Sequence, residues 1–323
     1  MRITVLAGGV GGARFVRGLR RLVRDSLPDA AITVVGNTGD DAWVSGVRVT
    51  PDLDSLLYAL AGVNDEERGW GRAGDTDRVS AELTDYGVGW PWFTLGDLDL
   101  GTCLARTALL RDGLPLSAVV QRLAARWPIG VRLLPATDQE VETWVHVVED
   151  GQERELHFEE WWVRTRASLP ARAFVQRGVE RAMPAPGVVD AIAEADVVLL
   201  APSNPVVSIG TILGIPGIRD AVARTPAPVV GLSPIIRGTA LRGMANACLT
   251  AIGVEVDAAA VARHYGARGT GGLLDGWLVD EADADGVAGL EDAGIRARAV
   301  PLRMTDDATT AAMARAALDL AGR

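Results

Sequence analysis

The chain has 323 residues, 48% of them hydrophobic and 23% charged, and a formal net charge of −10. Nucleic acid is not expected as a partner, because a phosphate-backbone footprint needs a basic face. Its basic side chains are arginines without a single lysine, which excludes a Schiff-base mechanism and a Walker A loop.

This length suits one large α/β domain or a core with an insertion. The N-terminus runs straight into a strand without the pattern of a signal peptide. No apolar run approaches the roughly 18 to 20 residues of a membrane span, so no membrane partner is expected. Cys103 and Cys248 lie far apart in helical stretches, which fits packed, reduced thiols and a cytoplasmic setting.

Arg2 to Ala7 is β-branched with little alternation, the pattern of a strand buried on both faces of a parallel sheet. It runs into Gly8-Gly9-Val10-Gly11-Gly12 and then a helical stretch, Ala13 to Asp25. A strand, a glycine-rich turn and a helix start together make an anion cradle. The dinucleotide fingerprint is only partly met, since Arg14 stands at the third glycine position. The loop reads as a phosphate- or substrate-facing turn, with tight strand-to-helix packing as the plainer alternative.

Ile32 to Val35 forms the second strand, and beyond its carboxyl end come Asp40, Asp41, Asp52 and Asp54, where doubly wound sheets bind ligands. Carboxylates on a loop after a strand suit a hard cation such as Mg²⁺, which takes one or two of them with phosphate oxygens. A solvated turn at Asp40 and Asp41 and helix caps at Asp52 and Asp54 are the plainer alternative. An apolar helix, Leu56 to Leu60, follows. Gly69-Trp70-Gly71 reads either as a lid or ring-stacking wall or as an aromatic packed under a loop. Helices over Thr102 to Arg111, capped by Asp97 or Thr102, and Pro115 to Trp127 come next.

From Arg132 to about Ala182 the texture changes. Val141 to Val148 and Arg154 to Phe158 read as strands joined by a hairpin at Glu149-Asp150-Gly151-Gln152. His146 and His157 on these strands read as structural. The α/β rhythm then resumes with helix Val188 to Glu194 and strand Val197 to Leu200. Strand Val229 to Leu232, helices Met244 to Ile252 and Ala259 to Tyr265, strand Gly276 to Val279, helix Gly286 to Ala293, strand Ala297 to Val300 and helix Asp307 to Ala321 complete it. The expected architecture is α/β and Rossmann-like: a mostly parallel sheet with helices on both faces and a smaller α+β insertion. The core takes residues 1–131 and 183–323, and the insertion residues 132–182.

Six motifs in this order resemble the 2-phospho-L-lactate transferases of coenzyme F-420 biosynthesis, in their actinobacterial form. They are Leu6 to Arg14 (LAGGVGGAR), Asn37 to Asp41 (NTGDD), Pro51 to Asp54 (PDLD), Leu95 to Asp97 (LGD), Ala201 to Pro205 (APSNP) and Ser233 to Ile236 (SPII). The resemblance implies a reaction. A guanosine diphosphate-linked three-carbon acid, lactyl or enolpyruvyl, passes its phosphoryl-acid group to the ribityl hydroxyl of the deazaflavin Fo, and guanosine monophosphate leaves. It also implies Mg²⁺ and a homodimer. Carried over residue by residue, Asp40 and Asp52 hold the metal and Asp54 faces the acceptor hydroxyl as base or orienting group, leaving Asp41 structural. Gly8, Gly9, Gly11 and Gly12 line the diphosphate or acceptor cleft. Ser203, Asn204, Ser208 and Thr211 hold the nucleotide, and Asn37, Thr94 and Asp97 complete the binding set. Many relatives carry arginine where this chain has Leu98, and Arg14, Arg237 and Arg242 are the candidate substitutes.

Two other readings stand beside this one. A non-catalytic nucleotide-sugar-binding regulator of the gluconeogenesis-factor type would keep the glycine loop and the SNP turn but would not need both acidic motifs. A nicotinamide-dependent dehydrogenase needs an acidic residue closing the second strand, where this chain has Gly36-Asn37.

Overall fold

The computed structural model describes residues 1–323. β1 (Arg2–Ala7), α1 (Gly9–Ser26) and β2 (Ala31–Gly36) open the chain. The hairpin β3 (Ala42–Val44) and β4 (Val47–Val49) follows, then α2 (Pro51–Ala61), α3 (Arg78–Asp85), α4 (Asp97–Arg111) and α5 (Leu116–Ala124). β5 (Arg132–Pro135) precedes β6 (Glu142–Glu149), β7 (Gln152–His157) and β8 (Ala171–Arg177). The second half runs α6 (Val188–Ala193), β9 (Val197–Leu200), α7 (Ile209–Gly214), α8 (Ile218–Arg224) and β10 (Val229–Leu232). After two short strands, β11 (Ile235–Ile236) and β12 (Thr239–Ala240), come α9 (Ala245–Ala251), α10 (Ala258–Tyr265), β13 (Gly276–Val279), α11 (Val287–Asp292), β14 (Arg296–Ala299) and α12 (Asp307–Leu320).

Seven strands form one parallel sheet in the order β14-β13-β10-β9-β1-β2-β5. Side chains of successive strand residues point to opposite faces. Leu6, Val35, Val198 and Leu200 therefore join one core with α6 to α11, while Val5, Val34, Val197 and Leu199 join another with α1, α2, α5 and α12. Burial on both faces explains why these strands read as continuous apolar runs. The chain winds outward from β1 through β2 to β5, then returns to the other side of β1 at β9. That reversal puts a crevice beyond the carboxyl ends of β1 and β9, the place where open α/β sheets bind ligands.

Residue 132, where the sequence places the start of the insertion, is the first residue of β5, the edge strand paired parallel with β2. A separate three-stranded antiparallel sheet, β7-β6-β8, begins at Glu142. Its hairpin turns at Asp150 (φ 51°) and Gly151 (φ 79°), the double positive φ of a two-residue type I′ loop. α1 begins at Gly9 rather than Ala13, and α2 at Pro51 rather than near Leu56. Proline at the first helical position is a start signal, because its missing N–H has no partner there anyway.

Candidate active site

The crevice is built around β1 and β9. Gly9 adopts φ +61°, a conformation side-chain-bearing residues rarely take, and lets the strand turn into α1. An added Cβ at Gly11 would lie 2.8 Å from the Pro202 carbonyl, and one at Gly12 2.6 Å from Ser203 Oγ. Ser203 Oγ accepts from the Gly8 N–H at 3.0 Å and donates to the Gly8 carbonyl at 2.7 Å. Gly11, Gly12 and Ser203 therefore close the seam between the two strand ends. Gly8 faces the site, since a side chain there would collide with the Asp52 carboxylate and with Ser208.

The acids converge beside this seam. Asp40, Asp41, Asp52, Asp54 and Glu159 are all buried. Asp52 and Asp54 sit in the first turn of α2, where the helix dipole favours negative charge, and the N-cap residue, Thr50, makes no side-chain capping bond. Asp40 and Asp41 lie between β2 and β3 in a buried turn, not a solvated one.

The five carboxyls divide by their partners. Asp41 lies 3.7 Å from Arg48, and Asp54 is ion-paired with Arg106. Arg106 also donates to the Arg48 carbonyl at 3.0 Å, and the Arg48 N–H donates to Thr107 Oγ1 at 2.8 Å, which fastens α4 to the β3–β4 hairpin. Asp40 and Asp52 have no guanidinium. They share the Asn37 side-chain amide, whose nitrogen donates to Asp52 Oδ2 at 2.9 Å and Asp40 Oδ2 at 3.2 Å. Asn37 Oδ1 accepts the Gly39 N–H at 3.0 Å, which fixes the amide orientation. Asp40 Oδ1 is buried with no partner at all.

The electrostatics follow from this geometry. Burial raises every one of these carboxyls: Asp52 to about 6, Asp41 to about 8 and Glu159 to about 8, the last helped by the charges of Asp52 and Asp41. Asp40 is pushed well up by burial and then by Asp52 and Glu159. Burial also raises Asp54, with Arg106 pulling it back.

A Mg²⁺ ion fits the unpaired half. It has two carboxylates without a guanidinium, one orphaned oxygen, and an uncompensated negative potential. No cage of three His, Cys, Asp or Glu side chains is preassembled. Mg²⁺ keeps several waters and takes one or two carboxylates plus substrate phosphate.

Among the remaining residues with sequence-assigned roles, Ser208 Oγ approaches Asp52 Oδ2 at 3.5 Å and joins the cluster. Asn204 turns inward, where its Oδ1 accepts from the Val206 N–H at 2.9 Å and its amide donates to Cys248 Sγ at 3.4 Å. Thr211 is buried and donates to the Val207 carbonyl at 2.9 Å. Asp97 fastens the segment before α3, accepting from Thr76 Oγ1 at 2.6 Å and from Arg78 Nε and the Val79 N–H, both at 3.1 Å. Thr94 is exposed. Trp70 is 58% exposed, so it is not an aromatic packed under a loop.

The family model for the 2-phospho-L-lactate transferase CofD matches residues 3–312. This chain belongs to the 2-phospho-L-lactate transferase family. It is 59% identical over 321 residues to a phosphoenolpyruvate transferase of Streptomyces griseus, covering 99% of this chain and 98% of that one. It is 54% identical over 329 residues to a phosphoenolpyruvate transferase of Mycolicibacterium smegmatis, covering 100% and 99%. A crystal structure of protein BH3568 from Bacillus halodurans superposes with a TM-score of 0.62 at 17% identity, over 98% of this chain and 99% of that one, and establishes the fold alone. Within this transferase family framework, the arginine beside the acids is Arg106. It follows Asp99 and Cys103 by seven and three positions on one stripe of α4. Of the three candidate substitutes, Arg14 and Arg242 meet beside the glycine loop, where Arg242 packs on Gly69. Arg237 anchors by its backbone N–H to Asp283 instead. Glu159 has no role in the sequence reading, where its one signal is the acidic doublet Glu159-Glu160 two residues past the end of β7.

Proposed function

We propose that the protein transfers a phosphoenolpyruvyl group from a guanosine diphosphate-linked donor to the ribityl hydroxyl of the deazaflavin Fo, releasing GMP, with Mg²⁺ bound at Asp40 and Asp52. The observation that carries this is the Asn37 amide gathering two guanidinium-free carboxylates beside the glycine loop. Such a site suits diphosphate cleavage, which depends on positioning and charge neutralisation more than on covalent chemistry. The enolpyruvyl donor is preferred over the lactyl one because relatives 54 to 59% identical carry the name phosphoenolpyruvate transferase.

In the reaction the acceptor hydroxyl oxygen attacks the phosphorus that bears the three-carbon acid. The bond from that phosphorus to the bridging oxygen breaks, and GMP leaves with the electron pair. Bound Mg²⁺ supplies Lewis-acid neutralisation of the diphosphate oxygens. The chain's own groups do the rest. The N-terminus of α1 and the Arg14–Arg242 pair present positive potential to the donor. Asp54, held by Arg106, orients the hydroxyl and receives its proton. A homodimer, as the family resemblance implies, would be read by light scattering as twice 34.0 kDa.

The deciding experiment incubates the protein with Fo, Mg²⁺ and each donor and follows GMP and the phosphodiester-extended deazaflavin by mass spectrometry. Product with the enolpyruvyl donor, and less with the lactyl one, is expected. Absence of product with both sinks the proposal.

A further inference from the structure

A second cleft, of about 420 Å³, opens on the outer side of α4 and α5, with Arg72, Leu98, Thr102, Arg122, Arg126 and Trp127 on its walls. None of the five buried acids lines it. Leu98 and Thr102 lie on one stripe of α4, while Asp99, Cys103 and Arg106 lie on another, about a third of a turn away by helical geometry.

Three guanidiniums meet here, none of them in an ion pair. Arg17, by contrast, pairs with both Glu66 and Asp307. The one acid on the cleft wall, Asp97, is already engaged by Arg78, Thr76 and the Val79 N–H. Arg72 is held against Tyr58 at 5.9 Å and Trp127 at 5.6 Å, and Arg126 lies 4.6 Å from the Trp127 ring centre. The Arg72 Nε is buried with no hydrogen-bond partner.

Packing against aromatic rings holds the Arg72 and Arg126 guanidiniums and leaves their N–H groups free for an anion. The C-terminal dipole of α5 accounts for Arg122 and Arg126 taken singly. It does not account for Arg72, which arrives from the loop after α2 to make the third positive charge in a chain of net charge −10. Rigid guanidinium forks match oxyanions bidentately, phosphate above all.

We propose that this cleft is a binding site for a phosphate-bearing small molecule, outside the crevice that holds the acid cluster. Arg72 and Arg126 set the fork geometry and Arg122 closes the mouth.

The test titrates inorganic pyrophosphate into the full-length protein by calorimetry, at low salt with EDTA, where the uncompensated acids repel anions from the catalytic crevice. Saturable binding is expected, weakened about ten-fold or more, ~1.4 kcal/mol, in Arg122→Gln/Arg126→Gln. Both positions are exposed, so the variant should melt like the parent. Arg14→Gln, beside the glycine loop, should bind as the parent does. No saturable binding in the parent overturns the proposal. So does unchanged affinity in the double variant, or binding lost in Arg14→Gln and kept in the double variant, which would place the anion at the glycine loop.

Discussion

The side-chain amide of Asn37 holds Asp52, with Nδ2 2.9 Å from Oδ2, and the same nitrogen reaches Asp40 and the Val207 carbonyl at 3.1 Å. Two N–H bonds thus serve three acceptors, so the amide orients both carboxylates without neutralising either. Groups that orient metal ligands typically contribute about 10 to 100-fold in metal affinity or activity. Asn37→Ala should therefore fold and raise the Mg²⁺ concentration for half-maximal turnover by about that factor. An unchanged Mg²⁺ requirement would count against the shared-amide role.

Asp40→Asn and Asp52→Asn should each reduce kcat by ~10³ or more, because each would remove half of the protein ligands of the proposed Mg²⁺. In EDTA both variants should melt no lower than the parent. Each deletes a buried charge that has no guanidinium to compensate it. An inactive variant that also unfolds would assign the residue to structure instead.

Much of this was legible in the sequence, and the parts that were not share a cause. Val197–Leu200, Val229–Leu232 and Gly276–Val279 fall as expected, because strands buried on both faces carry an unbroken apolar signal. β5 was hidden because four residues at a sheet edge look no different from the strands of the neighbouring antiparallel sheet. In the site, the cluster of acids was visible from spacing alone. Which acids are neutralised was not, because Arg106 lies 52 residues from Asp54 and Glu159 over a hundred residues from Asp52. Pairing across the fold has no local pattern to read.

The Asp54–Arg106 pair separates structural from chemical roles. Asp54→Asn leaves a buried guanidinium unpaired and should cost about 3 to 5 kcal/mol of stability, read by denaturant unfolding. Asp54→Leu/Arg106→Met should recover most of that loss, since well-packed apolar pairs commonly replace buried ion pairs without penalty. Activity should not return. An orienting base contributes about 10² to 10⁴ in rate, and neither variant retains it. Recovery of turnover along with stability would show that Asp54 serves only the fold.

The raised carboxyls predict how cation and pH act together. Glu159 holds its proton to about pH 8 in the folded chain, and Asp41 does likewise, whereas in the unfolded chain such groups ionise near ~4. Below ~4 they are protonated in both states and their contribution is complete. As pH rises from ~4 toward 8 the unfolded chain gives up protons that the folded chain retains, so stability falls across that window. A divalent cation at Asp40 and Asp52 offsets the like-charge part of those shifts. In EDTA the melting temperature should therefore decline from about pH 6 to about pH 8, and Mg²⁺ should raise it more at the higher pH. Glu159→Gln should flatten the decline in EDTA and shrink the Mg²⁺ increment. A melting temperature that is level across this range in EDTA, in parent and variant alike, would mean that the buried acids are compensated by something other than a cation.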